Sequence, residues 1–117
     1  MSFELKYPTI LTRGEKMASF VKAAMTSSVP EGSGTVLELE GKTIALFQVN
    51  GKFYAIDNTC KHRGGPLGEG GLDGNVVTCP WHGFQFDVTT GNCATNPAIA
   101  QTCYNVKVEG ENVLIQL

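Results

Sequence analysis

Two short clusters of cysteine and histidine constrain what this chain can fold into more than any other feature. The first reads Cys60-Lys-His62, the second reads Cys79-Pro-Trp-His82, and sixteen residues separate them. Both residue types are common metal ligands. Each pair is too close in sequence for a helix to lie between its members. The sequence therefore predicts two tight loops that present Cys60, His62, Cys79 and His82 to a metal centre.

Glycines follow both clusters. Because glycine has no β-carbon, it lets the backbone come close to a metal centre and direct N–H groups at sulfur. The glycines are Gly64, Gly65, Gly68, Gly70 and Gly71 after the first cluster, and Gly83 after the second. Four candidate ligands at this spacing, within glycine-rich loops, carry far more weight than any one cysteine or histidine alone.

The donor set leaves two kinds of metal centre to weigh. Two cysteines and two histidines form a common tetrahedral site for structural zinc. Zinc sites, however, usually take both cysteines from one short cluster and both histidines from another. Here each cluster holds one cysteine and one histidine. Such mixing suits two iron ions, one bound by both thiolates and the other by both imidazoles. We favour the two-iron centre and keep zinc as the alternative.

With these Cys-x-His and Cys-x2-His boxes, the chain resembles the Rieske [2Fe–2S] proteins over roughly residues 19–117. The resemblance implies one [2Fe–2S] cluster. It also implies that Cys60 and Cys79 hold the inner iron, and that His62 and His82 hold the outer iron near the surface. Two neutral imidazoles in place of two thiolates leave the site less negative, so it accepts an electron more readily than an all-cysteine site.

The strand pattern independently favours an all-β fold. Short apolar segments are separated by turn signals, of which Asn50-Gly51 is the strongest hairpin dipeptide. A second turn is expected at Gly41-Lys42 and a third at Asp73-Gly74. From this pattern we predict antiparallel strands at Thr35–Glu40, Thr43–Val49, Lys52–Asp57, Asn75–Thr78, Phe84–Val88, Thr102–Glu109 and Asn112–Gln116. Apolar residues from Met17 to Met25 fall at helical spacing, but the resemblance implies a first strand at Ser19–Ala24, and we follow the resemblance there.

The domain organisation follows from the same resemblance. It implies a base of strands that carries a small, four-stranded cluster-binding subdomain of about residues 58–98. Residues 18–117 are assigned to one Rieske domain. Residues 1–17 are assigned to an N-terminal extension of unknown role, with Met17 as an alternative native start.

Residues around the predicted ligands separate subclasses within the resemblance. High-potential Rieske proteins carry a disulfide at the positions that Gly64 and Trp81 occupy here, and cluster-facing hydroxyls at the positions of Phe84 and Phe86. Without those hydroxyl donors the reduced cluster is less stabilised. We therefore expect a midpoint potential near the low end of the class range, about −150 mV. The resemblance also places Gly65, Gly83 and a third loop containing Pro97 beside the cluster.

Composition excludes several classes of partner. A net charge of −2 argues against nucleic acid or an anionic membrane as the main partner. No apolar run is long enough to span a bilayer, and no signal-peptide pattern is present. Few cysteines lie outside the predicted cluster ligands, which suits a reducing compartment, so we expect the cytoplasm. Cys93 and Cys103 match no ligand position and are expected to be free thiols, with a disulfide between them as the alternative.

The expected role is electron transfer. A Rieske-type oxygenase also needs a mononuclear iron bound by histidines, and both histidines of this chain are assigned to the cluster. We therefore expect an electron carrier and no enzyme. The chain resembles the Rieske-type ferredoxins of multicomponent aromatic-ring dioxygenases, which implies a flavin-containing NAD(P)H-dependent reductase as donor and a terminal oxygenase as acceptor.

Three alternatives stay open on the sequence alone. The first is the small subunit of a nitrite reductase, which shares the fold. The second is a Rieske subunit of a membrane complex, disfavoured by the missing span and disulfide. The third is a zinc-stabilised binding module.

Overall fold

The computed structural model describes residues 20–60, 65–81, 83–96 and 98–117. The predicted extension at residues 1–17 lies outside the described residues, and so do His62, Gly64, His82 and Pro97. Within the described ranges the structure is built almost entirely of antiparallel strands, so the all-β prediction is confirmed.

A six-stranded sheet forms the base of the molecule. Its strands lie in the order β1-β9-β8-β4-β3-β2. Strands β2, β3 and β4 form one run of chain neighbours, β8 and β9 form another, β8 pairs with β4, and β1 pairs with β9 at the edge. A three-stranded sheet, β5-β6-β7, carries the residues between β4 and β8. The strands are β1 Phe20–Met25, β2 Ser33–Leu39, β3 Lys42–Val49, β4 Lys52–Asp57, β5 Gly71–Asp73, β6 Val76–Thr78, β7 Gln85–Asp87, β8 Cys103–Glu109 and β9 Asn112–Gln116. Single 3-10 turns occupy Thr26–Ser28 and Leu67–Glu69.

Two-residue turns join β2 to β3, β3 to β4 and β8 to β9. Asn50 and Gly51 have φ angles of 54° and 80°, as a primed hairpin turn requires, which confirms the prediction from this dipeptide. The preceding turn lies at Glu40-Gly41 and not at the predicted Gly41-Lys42, because Leu39 pairs with Lys42. Glu40 takes a φ of 51°, a conformation for which a glutamate gives no sequence signal.

The small sheet differs from its prediction in size. Three strands of three residues each form it within the described part of the chain, where four strands were expected. An isolated bridge between Phe86 and Cys93 continues the pairing without a full strand. The turn that enters β6 lies at Gly74-Asn75, one residue later than predicted, because Asp73 pairs with Val76.

Strand β3 separates two hydrophobic cores. Ile44 and Leu46 face a core within the base, while Ala45, Phe47 and Val49 face a second core beneath the small sheet. Because both faces of β3 are covered, four consecutive residues from Ile44 are fully buried, which explains the unbroken apolar run. The second core also contains Leu67, Val77, Phe86, Val88, Cys60, Cys79 and Cys93. The base therefore packs against the small sheet through this second core.

Candidate metal centre

Cys60 follows the end of β4 by three residues and is buried, with 1% of its surface exposed. Its N–H donates to the carbonyl oxygen of Gly65 at 2.9 Å. The preceding residue, Thr59, forms a bridge with Pro66. These contacts bring the chain back on itself within five residues, so Cys60 lies at the start of a closed loop.

Cys79 directly follows β6 and is 2% exposed. Its N–H donates to the carbonyl oxygen of Phe84 at 2.7 Å, and its own carbonyl oxygen accepts from the N–H of Gly83 at 3.0 Å. Gly83 adopts a φ of 77°, the left-handed region that glycine enters without steric cost. The chain therefore leaves β6 at Cys79 and is hydrogen-bonded back to it at Gly83 and Phe84, just before β7.

Gly65 joins the two loops. A β-carbon at this position would lie 2.6 Å from Sγ of Cys79 and 3.1 Å from Cγ of Trp81. The same glycine accepts the hydrogen bond from Cys60. Because real β-carbons do not approach sulfur so closely, the missing side chain is what keeps the space beside the Cys79 thiol clear.

The two thiols share one buried core. Thiolate sulfur is the ligand type that iron–sulfur clusters use, and burial limits access of water to them. A paired set of buried cysteines on two closed loops, next to a glycine that leaves room at the sulfur, fits a [2Fe–2S] cluster. The histidines that would complete the set, His62 and His82, lie outside the described residues.

The aromatic residues at the site occupy different environments. Phe86 is fully buried in the core beneath the small sheet, and Phe84 is half-buried against the same core. Trp81, by contrast, is 61% exposed although its base lies against Gly65. A large apolar side chain is thus presented to solvent directly beside the candidate centre.

Two buried polar residues brace the first loop, and sequence reasoning missed both. Asn58 and Gln101 are the buried polar residues among those the structure describes, at 6% and 4% exposed. The Asn58 side-chain oxygen accepts from the N–H of Gly68 at 2.7 Å. The Gln101 amide nitrogen donates to the carbonyl oxygens of Asp57 and Thr59. Nothing local in the sequence indicates Gln101, because its partners lie more than forty residues earlier.

Cys93 and Cys103 are not joined by a disulfide in this structure. Cys93 is buried, and its sulfur accepts from the N–H of Asn96 at 3.3 Å. Cys103 is exposed as a residue, yet partial burial of its sulfur, with the nearby Asp87 carboxylate, raises the pKa of the thiol. Asp87 itself has a lowered pKa: burial opposes ionisation, but hydrogen bonds from Thr89 and Asn75 outweigh it.

Comparison with known proteins defines the class. Residues 19–113 match the Rieske [2Fe–2S] domain family, so the chain belongs to that family and carries one Rieske-type [2Fe–2S] cluster. The prediction of this cluster over zinc is confirmed. In the part of the chain that the structure describes, helices are limited to single turns and none could cross a membrane.

The relatives narrow the class further. The chain is 37% identical over 99 residues to the ferredoxin component of the naphthalene 1,2-dioxygenase system of Pseudomonas aeruginosa, covering 84% of this chain and 95% of the relative. A solved complex of reduced oxygenase and oxidized ferredoxin in carbazole 1,9a-dioxygenase matches with a TM-score of 0.77 and 32% identity, over 83% of this chain and 92% of that chain. This protein is thus a Rieske-type ferredoxin, an electron carrier and not itself the catalytic enzyme.

The nitrite reductase alternative receives support for the fold alone. The small subunit of a putative NADH-dependent nitrite reductase from Mycobacterium tuberculosis matches with a TM-score of 0.80 but 19% identity, over 87% of this chain and 97% of that chain. The dioxygenase ferredoxins are closer in sequence at comparable coverage.

Proposed function

We propose that this protein carries single electrons in the cytoplasm from a flavin-containing NAD(P)H-dependent reductase to the terminal oxygenase of an aromatic-ring dioxygenase. The observation that supports this most directly is the pair of buried thiols, Cys60 and Cys79, on two loops that Gly65 holds together. When bound, the cluster supplies a centre that accepts and releases one electron.

We propose that Cys60, His62, Cys79 and His82 are the cluster ligands. The described residues support the cysteine half of this set. Each thiol is nearly inaccessible to solvent, and the core beneath them is apolar, which disfavours water beside the sulfurs. Backbone hydrogen bonds hold Cys60 to Gly65 and Cys79 to Phe84, and both thiols lie in the same buried core.

We propose further that Gly64, Gly65, Trp81, Gly83, Phe84, Phe86 and Pro97 surround the cluster. Of these, Trp81 suggests how a partner is recognised. A tryptophan with 61% of its surface exposed next to the site offers apolar area that a partner can cover. Tryptophan is also the residue type most enriched among energetic anchors of interfaces. A carrier must leave each partner after transfer, so a small contact centred on one anchor suits its role.

Reconstitution with candidate partners tests the proposed function. A candidate reductase and a candidate terminal oxygenase from the same source are mixed with this protein and NAD(P)H, and substrate oxidation and oxygen uptake are followed. We expect oxygenase turnover to require this protein and to stop in Cys79→Ser. If this protein passes electrons to a sirohaem-containing nitrite reductase and does not sustain turnover of the oxygenase, the proposal is wrong.

The contribution of Trp81 is tested in the same assay. Trp81→Ala should leave the midpoint potential and visible spectrum unchanged, because the indole is exposed, but should raise the concentration of this protein needed for half-maximal oxygenase turnover by about tenfold. Val108→Ala is the control, since Val108 is an exposed apolar residue on β8 of the base. Equal effects of the two variants would contradict docking at Trp81.

A further inference from the structure

Gln101 links the loop that carries Cys60 to a distant part of the chain. Its amide nitrogen donates to the carbonyl oxygen of Asp57 at 2.8 Å and to that of Thr59 at 2.9 Å. Asp57 ends β4, and Thr59 is the residue immediately before Cys60. One side chain therefore fixes the backbone on the whole approach to the cysteine.

Gln101 is itself firmly anchored. Its N–H donates to the carbonyl oxygen of Gly91 at 2.7 Å, and the next residue, Thr102, accepts from the N–H of Asp57 at 2.9 Å. A β-carbon at Gly91 would overlap the carbonyl oxygen of Gln101, so the two segments are in close backbone contact. The backbone is hydrogen-bonded both at Gln101 and at Thr102, so the point from which the Gln101 side chain extends is fixed. The side-chain amide is itself held by its two hydrogen bonds.

The burial of this amide is costly unless its hydrogen bonds are made. Glutamine is seldom fully buried, and a buried amide without partners is strongly unfavourable. A primary amide nitrogen offers two N–H donors, which matches the two carbonyl oxygens that Gln101 contacts. An apolar side chain in its place would leave both carbonyls to find other donors, and the backbone before Cys60 would relax toward water.

We infer that Gln101 is a positioning residue for the cluster: by holding Asp57 and Thr59, it fixes where the Cys60 thiolate lies relative to that of Cys79. The inference rests on the proposed role of Cys60 as a ligand. Residues that orient ligands through hydrogen bonds commonly change metal affinity by one to two orders of magnitude when they are replaced. Gln101 should therefore govern how tightly the cluster is held, although it belongs to neither ligand loop.

The test compares Gln101→Met with Gln48→Met. Methionine nearly matches glutamine in length and shape but donates no hydrogen bond. Gln48 is a suitable control because its amide nitrogen also donates to a backbone carbonyl, that of Val29, but within the base. Cluster loss is followed by the decay of visible absorbance in excess iron chelator, without denaturant. We expect loss to be about tenfold faster in Gln101→Met and within twofold of wild type in Gln48→Met.

Hydrogen exchange of the intact proteins supplies a second readout that does not depend on electron transfer. In Gln101→Met, exchange should increase in peptides that cover residues 57–60 and 65–68, while β2 and β3 exchange as in wild type. Equal rates of cluster loss in the two variants would overturn the inference. So would exchange that increases equally in all strands, because Gln101 would then support only overall stability.

Two further variants close the remaining outcomes. If Gln101→Met does not fold, Gln101→Asn is measured against Gln48→Asn. Asparagine keeps both donors but is one methylene shorter, so cluster loss should still be faster at position 101, and equal rates would overturn the inference. Cys60→Ala separates failure of the ligand assignment: a Cys60→Ala protein that keeps its cluster disproves the role of Cys60 itself, whatever Gln101 does.

Discussion

The base sheet and the small sheet are stabilised by different kinds of interaction. In the base, β2 and β3 pair through seven consecutive residues from Ser33–Gln48 to Leu39–Lys42, and a two-residue turn closes the hairpin. In the small sheet each strand contributes three residues. Its loops are instead tied down by single side chains, among them Asn58 and Gln101.

This difference indicates that the base sheet is stable by itself, whereas the small sheet depends on other parts of the molecule. Long antiparallel ladders with local turns specify themselves, because every residue adds a cross-strand neighbour. A three-stranded sheet of such short strands buries too little apolar surface to be stable on its own. It depends on the core it shares with β3 and, we propose, on the cluster that its loops hold. The predictions below test this dependence.

Loss of the cluster should have the largest effect and should fall on one region. In Cys79→Ser, we expect hydrogen exchange in residues 65–81 and 83–96 to become at least a hundredfold faster, because metal binding contributes directly to the stability of the loops that bind it. The strands β2, β3 and β4 should retain their protection. Cys103→Ser, at an exposed residue outside the predicted ligand set, is the control and should behave as wild type. Protection lost equally from both sheets would show that the base does not fold independently.

Two adjacent glycines offer a sharper comparison within the small sheet. A β-carbon at Gly70 would overlap the carbonyl oxygen of Thr78, whereas at Gly71 it would meet nothing within 4 Å. Gly70→Ala should therefore lower the free energy of unfolding by about 2 kcal/mol, because backbone must move to make room. Gly71→Ala should change it by less than about 1 kcal/mol. Chemical denaturation of the two variants measures this difference, and similar values would contradict the close approach of Gly70 to β6.

A variant in the base should affect stability and leave the electron-transfer site unaltered. The Glu31 carboxylate accepts from the N–H groups of Asn50 and Gly51, at 2.6 and 2.8 Å, and so holds the β3–β4 turn. Glu31→Gln should cost about 1 kcal/mol of unfolding free energy, since these bonds are charge-assisted but exposed. Its midpoint potential should equal that of wild type. Glu38→Gln, at an exposed glutamate of β2, is the matched control.

The two regions also differ in what the sequence could predict. The hairpin at Asn50-Gly51 is determined by residues next to each other, and the spacing of Cys60 and Cys79 with their histidines is equally local. Local signals of this kind predicted the fold class and most strands of the base, and the ligand spacing indicated the family. The prediction placed the turn at Glu40-Gly41 one residue too late. The positive φ angle of Glu40 results from the pairing of Leu39 with Lys42, and glutamate has no preference for that conformation that a sequence could reveal.

The small sheet was harder to predict for the same physical reason that makes it depend on other regions. Strands of three residues carry no measurable periodicity, so β5 was not among the predicted strands. The resemblance implied four strands, and within the described residues the structure has three and an isolated bridge between Phe86 and Cys93. The side-chain hydrogen bonds that Asn58 and Gln101 make to the loop backbone were not predicted. Their partners are 10 and more than 40 residues away, and a hydrogen bond over that separation exists only once the chain has folded.

The smallest expected effect concerns the cluster environment in the small sheet. Phe84 is half-buried, and its carbonyl oxygen holds the N–H of Cys79, so its side chain starts from the turn that carries this cysteine. In Phe84→Ser, a hydroxyl that reaches a cluster sulfur would stabilise the reduced, more negative state. One hydrogen bond of about 1 kcal/mol corresponds to a rise in midpoint potential of about 40 mV. Phe84→Ala removes the same ring without adding a hydroxyl, so the difference between the two variants isolates the hydrogen bond from the change in packing. A wild-type potential well above zero would contradict the low-potential assignment itself.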